Sequence, residues 1–229
     1  MVDVSVADLA PALVVRPALA ETAAVALVLP GGRENSLAPT QPRHLSGVRM
    51  IPFARALHRQ GAALGLAVWS VRYRVRGWNG EEMSPVPDVR WALDQVRDQH
   101  GPVPVVLVGH SMGGRTAVRV AGDASVAGVV ALAPWLPKTD PVEQLSGRRL
   151  LIAHGTLDRV TSPRASQRFV VRARDVTPDV AFVAVRGETH AMLLRAPFWH
   201  GLAAAYALDT LELRALPPRL AKVVAAGSG

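Results

Sequence analysis

Three side chains of this 229-residue chain have the types and the order that acyl-transfer chemistry needs. Ser111 stands in Gly109-His110-Ser111-Met112-Gly113, where a buried apolar run (VPVVLVG) meets a small-residue helix pattern (SMGGRTAVRVAG). A serine at such a junction can be a simple helix cap. The flanking glycines favour a second reading, a nucleophile on a sharp strand-to-helix turn where side chains at 109 and 113 would collide with the neighbouring backbone. A hydroxyl there sits at a helix N-terminus, which favours developing negative charge.

A serine needs a base, and the base needs an orienting carboxylate. Asp158 follows the apolar run in LLIAHGTLDRVTS, and His190 follows VAFVAVRG. The rival acids are Asp140, in a Pro-flanked segment, and Glu188, two residues before the histidine. Oxyanion donors are also required. The backbone N–H of Met112, next after the serine, is the first. The turn LPGGREN offers the N–H of Gly32 as the second, against the plainer reading of an ordinary Pro-Gly turn. His110 is expected to pack under the elbow and His154 to brace the acid loop. No His, Asp or Glu cluster has metal-ligand spacing, so neither metal nor cofactor is expected.

These residues must be held by elements, and the pattern supplies them. Apolar runs at 23–29, 64–75, 103–109, 124–134, 148–155 and 179–187 alternate with helical patterns at 51–63, 84–101, 111–122, 162–174 and 196–216. The runs are continuous rather than alternating, which predicts an α/β fold: a mostly parallel sheet with helices on both faces, and site residues just beyond the strand ends. One domain is expected over 1–229, with the tail fraying from about 217. Arg33 to Gly47 reads as a long polar loop.

Composition excludes several classes. With no cysteine there is no disulfide framework, and no apolar run approaches the length of a membrane span. The N-terminus lacks the basic start of a secretory signal. A soluble, cytoplasmic protein is expected. The net charge of +8 comes from arginines scattered along the chain, 24 of the 26 basic residues, with no aromatic interleaving; nucleic acid is not the expected partner. A small-molecule ester or thioester is. Arg72, Arg74 and Arg76 alternate after a strand, and would point one way if it stayed extended. They read either as a receiver for a substrate anion or as a solvated strand end.

The combination of LPGG, GHSMGG, HGTLDRVTS and GETHAM resembles the α/β-hydrolase superfamily over roughly residues 13–214, in particular small carboxylesterases and dienelactone-hydrolase-like proteins. The resemblance implies a Ser111–Asp158–His190 triad. Pro30-Gly31 departs from the usual His-Gly of the family; the backbone donor survives, but the hydrogen bonds of that histidine do not. Where lidded relatives insert a cap, this chain has only PWLPKTDPVEQLSG, so no cap domain and an open pocket are implied, walled by Trp135, Trp78 and Met192. On the same triad an acyltransferase, a perhydrolase or a C–C hydrolase is the alternative, and a non-catalytic ligand receptor lies outside it.

Overall fold

The computed structural model describes residues 9–227. In chain order the strands are β1 (Ala12–Arg16), β2 (Ala24–Leu29), β3 (Leu66–Arg72), β4 (Val105–His110), β5 (Val126–Leu132), β6 (Arg149–Gly155) and β7 (Val180–Val185). The helices are α1 (Leu45–Val48), α2 (Ile51–Gly61), α3 (Pro85–His100), α4 (Met112–Val120), α5 (Pro163–Ala173), α6 (Ala196–Thr210) and α7 (Pro218–Ala225). The strands form one sheet in the order β1-β3-β2-β4-β5-β6-β7, with β1 antiparallel to β3 and every other pair parallel.

The sequence explains this arrangement. All six residues of β2 and of β4 are buried, as central strands covered on both faces require. Helices α3, α4 and α5 pack on one face through Val89, Leu93, Val118 and Phe169. Helices α2 and α6 cover the other through Phe53, Leu57, Trp199 and Leu202. Ser162 caps α5 by accepting a hydrogen bond from the Ala165 N–H at 3.2 Å. From β2 the chain crosses to β3 on one side, and from β4 to β5 on the other. Strand order therefore reverses between β2 and β4, and the crevice beyond their carboxyl ends is where such sheets bind ligands. The LPGG turn follows β2 and the serine elbow follows β4, so the topology brings those two motifs together.

Both chain ends carry elements beyond those expected. β1 holds the short apolar run Ala12–Val15, whose Val14 and Val15 are exposed, and it pairs only along one edge. The tail from about 217 does not simply fray. It forms α7, whose Leu220, Val223 and Val224 pack on the core shared with α6, and the Gly227 carbonyl accepts a bond from the Phe182 N–H at 2.9 Å. Among the described residues no helix is long and apolar enough to cross a membrane.

The segment from Arg33 to Gly47 lacks a long regular element but is fastened. Arg33 donates its N–H to the Arg76 carbonyl at 2.8 Å, Arg76 to Ala38 at 3.0 Å and Thr40 to Arg74 at 3.1 Å. The Asn79 side chain accepts from the Ser36 N–H at 2.8 Å. The loop is thus zipped onto the strand extension that follows β3.

Candidate active site

The elbow has the geometry its glycines imply. Ser111 adopts φ 56° and ψ −118°, a region costly for a non-glycine residue, by about 1–3 kcal/mol. Neighbouring backbone holds it there: the Ser111 N–H donates to Leu132 O at 3.0 Å, and Ser111 O accepts from Trp135 N at 3.1 Å. A β-carbon at 113 would stand 2.5 Å from Pro30 O and 2.7 Å from the carbonyl carbon of Leu29; one at 109 would stand 2.6 Å from Gly114 N. Only glycine lets β2, β4 and α4 approach this closely.

The turn that carries Gly32 abuts the serine: a β-carbon on Gly31 would lie 3.3 Å from Ser111 Cβ, and one on Gly32 would collide with the Met112 side chain. Among the described residues neither the Gly32 N–H nor the Met112 N–H donates a hydrogen bond. Met112 is the first residue of α4, so its free N–H is one of the orphan donors at a helix N-terminus.

Asp158 and His190 are paired: His190 Nδ1 lies 2.7 Å from Asp158 Oδ2. The carboxylate is saturated with donors. Its Oδ1 accepts from the N–H groups of Val160 (2.8 Å) and Thr161 (3.0 Å). Its Oδ2 also accepts the Thr161 hydroxyl at 2.9 Å and lies 3.2 Å from His154 Nε2. Burial opposes ionisation, but the bonds from His154, His190 and the two N–H groups outweigh it and hold the carboxyl far below the usual range. Among the described residues no hydrogen bond joins Ser111 Oγ to His190; in unliganded sites such contacts often tighten only when substrate binds.

The histidine loop is anchored from beneath. His110 Nε2 lies 3.1 Å from the His190 carbonyl, which also accepts from Arg49 at 3.3 Å. The two imidazole rings sit 4.6 Å apart. Burial, then the proximity of His190 and Arg49, pulls the His110 pKa down to about 3, so His110 stays neutral and Nε2 carries the proton given to that carbonyl. Glu188 is fully buried and accepts from Arg195 N (2.8 Å), Thr189 N (3.0 Å) and Trp199 Nε1 (3.1 Å). It staples the loop to α6 and points away from the histidine's ring partners. Asp140, the other rival, is fully buried and taken by Arg115, in a two-pronged pair at 2.8 and 2.9 Å, and by Arg119 at 3.1 Å.

Of the expected wall residues, two come together. Trp78 and Trp135 meet edge to face at 6.1 Å, and the Arg115 guanidinium lies over both, 3.9 and 4.4 Å from their centroids. They line a cavity of about 500 Å³ with Arg119, Glu34 and Glu81. Met192 does not join them. Its φ of 57° turns the backbone so that the side chain, 2% exposed, enters the core beneath α6. The arginine row is also corrected. β3 ends at Arg72, and Arg74 is bound through side chain and backbone to the Asp88 carboxylate, so it is matched within the fold and not held free for a substrate anion.

Sequence reasoning missed Thr161 and Arg115. The Thr161 hydroxyl lies 3.2 Å from His190 Nδ1 and 3.1 Å from Ala133 O, and so ties the acid loop to β5. Its only signal was a hydroxyl three residues after the acid. His154 does brace that loop, with its other ring nitrogen 2.8 Å from Ser166 Oγ.

The model of the alpha/beta hydrolase fold family matches residues 50–170. This chain belongs to that family. Among solved structures, an alpha-beta serine hydrolase homologue from Coxiella burnetii superposes with a TM-score of 0.63 at 18% identity, covering 85% of this chain and 90% of its own. A serine hydrolase without a lid from Xanthomonas campestris gives 0.62 at 18% identity, covering 87% and 88%. A thermophilic esterase from Thermogutta terrifontis, with butyrate bound, gives 0.65 at 17% identity, covering 95% and 93%. No curated protein matches the sequence. At these identities the likeness establishes the hydrolase fold.

Proposed function

We propose that this hydrolase-fold protein is a serine esterase or thioesterase that works through Ser111, His190 and Asp158. The observation that carries the reading is the 2.7 Å pair of His190 and Asp158, set beyond the same sheet edge as a serine held at φ 56°. With Nδ1–H given to Asp158, the neutral ring keeps Nε2 as its basic nitrogen. Nε2 takes the Ser111 proton as Oγ attacks the carbonyl. The N–H groups of Met112 and Gly32 receive the oxyanion, and the ionised Asp158 stabilises the imidazolium. That imidazolium protonates the leaving alcohol or thiol, and water then cleaves the acyl-enzyme by the reverse use of the same base. Every group in this cycle is the chain's own, so the reading calls for no metal or cofactor.

Neutral His110 supports the cycle, because a second charge stacked on His190 would oppose formation of the imidazolium. In this reading the cavity of Trp78 and Trp135, which adjoins the elbow through the Trp135 N–H bond to Ser111 O but is not lined by the triad, takes the part of the substrate away from the reacting carbonyl. The absence of cysteine suits a reducing compartment, and we assign the protein to the cytoplasm. Short-chain and long-chain 4-nitrophenyl esters and acyl thioesters, given to the wild type with and without a competing alcohol, test the reaction type. Free acid as the main product is expected. Transfer to the alcohol as the main product overturns hydrolysis in favour of an acyltransferase.

A further inference from the structure

A cleft of about 210 Å³ lies between the β1–β3–β2 face of the sheet and the segment from Thr40 to Ile51. Its floor is one row of residues across three strands, Val14, Ser70 and Val28, which are direct register partners. Arg16 and Arg72 lie four register steps apart on the same face, two steps to either side of that row. Ser111, Asp158 and His190 do not line it. Pro30 does, one residue before the glycine that abuts Ser111.

Three features make this cleft attractive to an anion. Among the described residues its only charged lining residues are the two arginines. Several partly or fully buried arginines elsewhere are matched by acids, Arg74 by Asp88, Arg115 by Asp140 and Arg149 by Asp209. The side chain of the exposed Arg72 makes no hydrogen bond or ion pair among the described residues, and the buried Nη1 of Arg16 has no partner. The Thr40 hydroxyl, also in the lining, is a second buried polar atom without a partner. Finally, Met50 and Ile51 bring the N-terminal end of the 11-residue α2 to the cleft, with no acid in its first turn. Buried donors left unmatched are costly unless something accepts from them.

We propose that this cleft is a second binding site, separate from Ser111, for a compact organic carboxylate with an apolar body. The volume equals that of about seven waters, so the ligand has about seven to ten non-hydrogen atoms. The apolar row Val14–Val28 takes the body. A guanidinium and a hydroxyl can satisfy a carboxylate's two oxygens, whereas inorganic phosphate has no apolar body to cover the Val14–Val28 row.

Benzoate is the probe, and calorimetric titration of the full chain, with Ser111 first blocked by a phosphonate ester, is the experiment. One benzoate per chain should bind. Benzamide should bind about tenfold more weakly or worse, because the charge-assisted bonds are lost. The double variant R16Q/R72Q, and separately Val14→Trp, should weaken benzoate by about tenfold or more while ester turnover by the unblocked variants stays at the wild-type level. The proposal is overturned if blocking Ser111 abolishes benzoate binding, if benzamide or inorganic phosphate binds equally well, if both variants bind as the wild type does, or if nothing binds up to about 10 mM.

Discussion

Gly113→Ala isolates the close approach on which the site depends. The added methyl would stand 2.5 Å from Pro30 O, 2.7 Å from the Leu29 carbonyl carbon and nearer still to the Leu29 oxygen, whereas β-carbons essentially never come within 3.0 Å of other atoms. All three are backbone atoms, so no side chain can swing aside. Either α4 or the Leu29–Gly32 turn must move by at least half an ångström, and by nearer one to regain ordinary contact. Overpacking of this kind costs about 1–3 kcal/mol, and each kcal/mol lowers Tm by roughly 2–4 °C at this size. The larger effect should be on turnover, because the displaced turn carries Gly32 and the displaced helix carries Ser111 and Met112. A misplacement near 1 Å can cost about 10²-fold. The matching control is Gly201→Ala in α6, where an added methyl meets nothing within 4 Å. It should leave turnover unchanged and stabilise by about 0.5–1 kcal/mol through helix propensity. The assay is kcat/KM on 4-nitrophenyl butyrate together with calorimetric Tm for both variants. Wild-type kcat/KM and Tm in Gly113→Ala would refute the steric argument for the elbow.

The two acids should separate by assay. Asp158→Asn should lower kcat by about 10⁴-fold with little change in Tm, whereas Asp140→Asn, which strands Arg115 and Arg119, should cost about 3–5 kcal/mol of stability and leave turnover per folded molecule near wild type; urea unfolding and kcat, measured side by side, check both. His110 governs a pH effect. Folded it stays neutral down to about pH 3, while unfolded it takes up a proton near its ordinary 6.5, so the unfolded chain binds more protons between those values and stability falls as pH drops from about 6.5 towards 3. The slope from this residue approaches about 1.4 kcal/mol per pH unit, and His110→Asn should flatten the unfolding free energy between pH 4 and 6; an unchanged slope would place the titration elsewhere. Because Arg33 to Thr40 is bonded to the 74–79 segment, this loop should not close over the serine as a flap, and rate should saturate smoothly with ester concentration. A sharp rise where emulsion forms would show that a segment acts as a lid.

What the sequence made legible was whatever depends on neighbours in the chain. The fully buried runs of β2 and β4 and the close backbone approach at the glycines 109 and 113 each follow from local pattern. What stayed hidden depended on partners far away. β1 is too short and too exposed to announce itself, and it becomes a strand because β3 offers an edge. The Ala-rich tail looks unable to fold alone, and α7 forms because the core beside α6 accepts Leu220 and Val223. Met192 reads as a wall residue from its place after the histidine, but a single left-handed turn sends it into the core. Arg74 looked free until the fold set Asp88 of α3 against it. Thr161 matters only because loops far apart in the chain converge on one carboxylate, which no spacing reveals.

The most direct measurement on the central claim is covalent labelling of the wild type and of Ser111→Ala with a fluorophosphonate, read by intact-protein mass spectrometry and peptide mapping. The account predicts one adduct per wild-type chain on the peptide that holds Ser111, complete loss of the adduct and of ester turnover in Ser111→Ala, and unfolding transitions that coincide for the two proteins. An adduct at any other residue, or ester turnover that survives in a folded Ser111→Ala, would contradict it.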